Sequence, residues 1–129
     1  AGNAPRLMRA QTDGERAEET DDGRTRYIEF TEEAERRLYG IGKNKAVIRL
    51  ERLPFIIGKN KEYADYVLSD ASVSRLHVKL TEKEGELFLT DLNSTNGTFK
   101  NGLRLEPNES VRLEREDEIR IGRLEFCYR

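Results

Sequence analysis

The sequence predicts an all-β sandwich, and three observations carry that expectation. From residue 46 onward apolar residues alternate with polar ones at period two, as in Ile48 and Leu50 against Arg49 and Glu51. Turn signals separate the alternating runs at Gly85, Asn96-Gly97, Asn101-Gly102, Pro107-Asn108 and Gly122-Arg123. The alternation of strand-like and helix-like stretches that marks a parallel α/β unit is absent. Many short strands with such spacing pack as two sheets or close as a barrel.

The elements follow in order. Residues 1–26 hold almost no large apolar side chains, so they cannot bury enough surface to offset chain entropy and are expected to be disordered. Residues 27–44 read as a linker with room for one short helix, in which Thr31 caps the start, Glu32 and Glu33 suit the first turn and Gly40 suits the stop. Residues 45–129 form the domain. Val78 and Leu80, Val111 and Leu113, Ile119 and Ile121, and the closing Leu124, Phe126 and Tyr128 each mark a strand with one buried face. The two Asn-Gly pairs are the strongest hairpin signals, because both residue types accept positive φ.

Composition narrows the function. The 129 residues carry a formal net charge of −2, without the basic excess of a general nucleic-acid binder. Residues 1–40 account for −3 of this and residues 41–129 for +1. One cysteine, Cys127, permits no internal disulfide, and with the lone His77 it cannot build a four-ligand zinc site. Cys127 reads as a small residue of the last strand. No apolar run approaches a membrane span, so the expectation is a cytoplasmic protein or fragment with no membrane or nucleic-acid partner, no metal and no cofactor. The chain begins at Ala1 rather than Met, as a processed or trimmed piece would.

The pentapeptide IGKNK occurs at residues 41–45 and again at 57–61. The first copy precedes a strand at the edge of the domain. The second follows the strand Phe55-Ile56-Ile57 and leads into a long polar connection. Different flanks argue against a duplicated unit, so the first copy reads as an echo and the second as a working loop.

Three loops are rich in groups that suit phosphate. Gly58-Lys59-Asn60-Lys61 offers cations beside a glycine that lets backbone come close. Ser72-Val73-Ser74-Arg75 offers hydroxyl and guanidinium donors beside His77. Asn93 to Thr98 is dense in amides and hydroxyls. A dianionic phosphate takes several charge-assisted donors at once, and Lys59, Ser74 and Arg75 can supply them. Ser74 with His77 is a poor nucleophilic pair, since i and i+3 face opposite sides of a regular strand and no orienting third group is evident. An enzyme is not expected. Asp91 reads as the end of a strand, and the three Asn-x-Ser/Thr sequons read as turn chemistry.

The ordered set IIGK, SRLH, NSTNGT and NG resembles the forkhead-associated (FHA) domain, a phosphothreonine-peptide-binding module, over residues 45–129. The resemblance implies a two-sheet sandwich of about eleven strands with its binding loops at one apex. By position, Ser74 is similar to the serine that bonds phosphate, and Arg75 adds a phosphate or backbone contact. Thr95 resembles the residue beside the phosphothreonine methyl, and Asn96 the one that bonds the ligand backbone. Gly58, His77 and Gly97 match supporting positions. The family usually carries Arg where this chain has Lys59, which keeps the charge and gives up the planar two-pronged geometry.

The layout also resembles bacterial FHA proteins whose threonine-bearing tail is phosphorylated by a Ser/Thr kinase and folds back on the domain. The candidates here are Thr12, Thr20 in EETDD, and Thr25 with Ile28 at +3. About 26 flexible residues between Thr20 and the first expected core strand span roughly 25–30 Å. Such a tether sets an effective concentration on the order of mM. The other reading of this segment is plain linker from a longer protein. For the domain the alternative is a phospho-independent interaction or oligomerisation unit on the same sandwich.

Overall fold

The structure is a computed structural model and describes residues 35–129. Its eleven strands among the described residues are β1 (Arg37–Gly40), β2 (Val47–Arg49), β3 (Phe55–Gly58), β4 (Tyr66–Val67), β5 (Val78–Lys83), β6 (Glu86–Asp91), β7 (Thr98–Lys100), β8 (Leu103–Arg104), β9 (Ser110–Leu113), β10 (Glu118–Ile121) and β11 (Leu124–Tyr128). They form a six-stranded sheet in the order β2-β1-β11-β10-β7-β8 and a five-stranded sheet in the order β4-β3-β5-β6-β9. The pairings are antiparallel except the short parallel contact of β3 with β4.

The period-two pattern is the cause of the layering. In β5, Val78 and Leu80 are buried while Lys79 and Thr81 are not, and in β10 Ile119 and Ile121 point inward while Glu118 is exposed. Both sheets contribute to one core, with Ile57, Val78, Leu80 and Leu89 from one and Leu38, Ile48, Ile121 and Phe126 from the other. Burying each such side chain contributes about 1.5–3 kcal/mol. Asn101 (φ 49°) and Gly102 (φ 86°) make the expected two-residue hairpin between β7 and β8. Asn96-Gly97 does not: only Gly97 has positive φ, and the pair belongs to a long loop between sheets.

The start of the domain needs correction. Within the expected linker 27–44, residues 37–40 form β1, not a helix, and β1 lies between β2 and β11. Leu38 is fully buried, and Arg37 and Arg129 exchange two backbone hydrogen bonds of 2.8 Å. The helix-friendly composition is overridden by this long-range ladder and the burial of Leu38. The sandwich therefore includes residues 37–40, ahead of the expected boundary at 45. The expected tail 1–26, the first part of the helix, Thr12, Thr20 and Thr25 lie outside the described residues. Among the described residues no helix is long and apolar enough to cross a membrane.

Candidate functional site

The two IGKNK copies have different fates. The first forms the β1–β2 turn, where the Asn44 amide donates to the Glu125 carbonyl at 2.9 Å. The second ends β3 and opens the β3–β4 loop. There Asn60 Oδ1 accepts the backbone N–H groups of Glu62 and Tyr63 at 2.7 and 3.0 Å, closing a tight turn. Lys59 N–H donates to the Ser74 carbonyl and Asn60 N–H to the Arg75 carbonyl, both at 3.0 Å. These bonds bind the β3–β4 loop to the β4–β5 loop. Gly58 makes that approach feasible, since a Cβ at this position would run into the Arg75 carbonyl oxygen.

The β4–β5 loop is shaped from within. Asp70 Oδ1 accepts from the Ser72 backbone N–H at 2.9 Å and from its hydroxyl at 2.7 Å. These bonds, with Arg123 alongside, hold the Asp70 carboxyl down to about 2. Arg123 N–H donates to Ser72 Oγ at 2.9 Å, and the Arg123 guanidinium pairs with Asp70 at 3.1 Å, so the β10–β11 turn braces this loop. Buried Val73 anchors it to the core.

His77 connects the loops from below. It is fully buried, its Nδ1 accepts the Ser74 backbone N–H at 3.0 Å, and its Nε2 lies 2.9 Å from the Gly97 carbonyl. With Nδ1 accepting, Nε2 carries the proton and donates, so the neutral ring satisfies both bonds. Burial pushes the imidazole pKa below its usual value, against the pull of the Gly97 carbonyl and the Asp91 charge.

The β6–β7 loop turns on Asp91, which the sequence alone marks only as a strand end. Its Oδ1 accepts the hydroxyls of Ser94 and Thr98, each at 2.6 Å, and its Oδ2 accepts the Ser94 N–H at 3.1 Å. Ser94 Oγ in turn accepts the Gly97 N–H at 3.0 Å. Burial alone would raise the Asp91 pKa, but the Ser94 and Thr98 hydrogen bonds outweigh it and leave the carboxyl below its usual value. Above this network Thr95 N–H donates to Ser74 Oγ at 3.0 Å, and the Asn96 amide donates to the Ser72 carbonyl at 3.0 Å.

The result is an open groove of about 860 Å³. The sequence-expected Lys59, Ser74, Arg75, Thr95 and Asn96 all line it. Gly58, His77 and Gly97 sit buried beneath it. Asn60, Tyr63 and Asn93 also line it and were not singled out from the sequence. Asn93 holds φ 56°, a conformation Asn tolerates better than most residues, and that was its available signal. The signal for Asp91 was Ser three residues on, a spacing that lets side chain and backbone bond locally.

The chemistry of the lining is one-sided. It contains an ammonium, a guanidinium, three hydroxyls and three amides, and no carboxylate. Ser74 Oγ accepts from Thr95, which leaves its own O–H to donate. The Asn96 amide spends one N–H on Ser72, leaving Oδ1 and a second N–H for a ligand. This donor set fits an anion attached to an extended chain with backbone amides.

The FHA domain family model matches residues 55–122, more than half of the chain. The chain is 32% identical over 74 residues to the human (Homo sapiens) nuclear inhibitor of protein phosphatase 1, covering 56% of this chain and 21% of that protein. It is 38% identical over 71 residues to an oxoglutarate dehydrogenase inhibitor of Corynebacterium efficiens, covering 55% of this chain and 47% of that protein. The chain thus spans about half or less of the length of these curated relatives. A solved structure described for phosphothreonine-dependent FHA domain interactions superposes with a TM-score of 0.65 at 30% identity, covering 74% of this chain and 95% of that one.

Proposed function

This chain belongs to the FHA domain family, and from that premise we propose that its groove binds phosphothreonine peptides as a non-catalytic recognition module in Ser/Thr-kinase signalling. The observation that carries the reading is the gathering of Lys59, Ser74, Arg75, Thr95 and Asn96 around one groove free of carboxylates. A phosphothreonine brings about −1.5 to −2 charge and three acceptor oxygens at neutral pH. Lys59 and Arg75 supply charge, and the free O–H of Ser74 supplies a directed donor. Asn96, held by Ser72, bonds the peptide backbone and sets its register. Thr95 borders the space for the threonine methyl. The finer reading is that a kinase acting on Thr20 or Thr25 makes a ligand within the chain's own N-terminal segment, so that occupancy of the groove by outside partners becomes regulated.

Calorimetry with one peptide in phosphothreonine, phosphoserine and unphosphorylated forms tests the reading. The phosphothreonine form should bind best and the unphosphorylated form not measurably. Ser74→Ala and Lys59→Ala should each weaken binding by about 1–3 kcal/mol. Equal binding of all three peptides would replace the proposal with the phospho-independent interaction domain.

A further inference from the structure

Resting on the phosphothreonine reading, we propose that this groove selects phosphothreonines flanked by carboxylates, and that of the chain's own candidates the peptide around Thr20 fits it while that around Thr25 does not. The groove's charged lining is Lys59 and Arg75 alone, and both are exposed. Lys61, also exposed, stands two residues along the same loop. Its Cα lies within about 7.6 Å of that of Lys59 by chain geometry, inside a Debye length of about 8 Å at physiological salt. Among the described residues none of these three cations makes an ion pair, whereas Arg36, Arg52, Lys100, Arg112, Arg123 and Arg129 each pair with a carboxylate. The acid nearest in this loop is Glu62, and Asp70 is already engaged by Ser72 and Arg123.

A phosphate neutralises about two of the three cations. The remaining positive potential falls on whatever flanks the phosphothreonine. Uncharged flanks leave it unused, and cationic flanks are repelled. Thr20 has Glu18, Glu19, Asp21 and Asp22 within two residues, all acidic. Thr25 has Arg24 and Arg26 as its immediate neighbours. The electrostatic match is therefore opposite for the two sites. Because such pairs are exposed, the selection operates through a few tenths to one kcal/mol per pair and weakens with salt.

The test uses the whole unphosphorylated chain and synthetic phosphopeptides added in trans. One peptide spans residues 15–25 with phosphate on Thr20. A second is identical but carries Gln in place of Glu18 and Glu19 and Asn in place of Asp21 and Asp22, and a third spans residues 20–30 with phosphate on Thr25. The first should bind about ten-fold tighter than the second at low salt, with the third weakest. The gap should narrow at high salt and in Lys61→Gln, a substitution outside the groove lining. Equal affinities of the first two peptides, or tightest binding of the Thr25 peptide, would overturn the inference while leaving phosphate reading intact. Equal binding of the first peptide with and without its phosphate would instead remove the reading beneath it. A gap unchanged in Lys61→Gln would overturn it too, since the selection is argued from a third cation that the phosphate does not neutralise.

Discussion

Lys59 and Gly58 are chain neighbours with unrelated physics. Lys59 faces solvent at the groove and makes no ion pair among the described residues, so it is free to meet a ligand. Gly58 is buried and has no room for a methyl group against the Arg75 carbonyl. Gly58→Ala must push the β3–β4 and β4–β5 loops apart, breaking the two backbone bonds that join them. We predict a stability loss of about 1–3 kcal/mol by urea denaturation, the usual cost of overpacking. Phosphopeptide affinity should fall with it, because Lys59 and Ser74 would separate. Unchanged stability would mean that the loops shift freely and that their close approach is unimportant. Both residues were legible in the sequence as parts of one phosphate-friendly loop. The steric reason for the glycine was not, because it lies in a backbone 17 residues away.

At the scale of elements, β1 shows how far pairing can override local preference. Its residues follow a stretch rich in Glu and Arg, both good helix formers, so the local pattern leaves room for a helix. Its partners are β2 just ahead and β11 at the far end of the chain. Leu38, opposite Tyr128 and Ile48, lies in the core, so Leu38→Ala should destabilise the domain by about 2–5 kcal/mol in chemical denaturation. A cost below about 1 kcal/mol would show that β1 is dispensable and that the domain begins later. The β6–β7 loop makes the complementary point. Its polar run was legible as a binding loop, but its shape depends on Asp91, whose carboxylate gathers three donors from Ser94 and Thr98. Sequence shows the donors and the acceptor; it does not show that the acceptor is buried.

Across the whole molecule, a single histidine joins the core to the groove, and this makes its titration easy to isolate. In the unfolded chain His77 takes up a proton near pH 6.5. In the folded state burial holds its pKa lower, so the unfolded chain binds more protons as pH falls below that value. The stability tied to neutral His77 is therefore complete above about pH 6.5 and is lost as the pH drops from there toward the folded value. Protonation would also set a donor on Nδ1 against the Ser74 N–H, opening the loop that carries Ser74 and Arg75. Urea midpoints measured from pH 8 to pH 5 should fall on the acid side. Midpoints flat over that interval would contradict the neutral, buried assignment. Asp91 and Asp70, both held below the ordinary carboxylate range, contribute only at lower pH.

The sequence by itself determined the class of fold, the positions of most strands and five of the side chains that line the groove, Lys59, Ser74, Arg75, Thr95 and Asn96. Period-two burial and turn-forming residues are local properties, and local properties are written in adjacent letters. Only the tertiary structure decided that residues 37–40 join the sandwich, why position 58 excludes a side chain, and how His77 ties the loop of Ser74 to the loop of Gly97 at one groove. Those features arise between residues far apart in the chain, where the free energy of pairing and burial outweighs any preference that a short window of sequence can express.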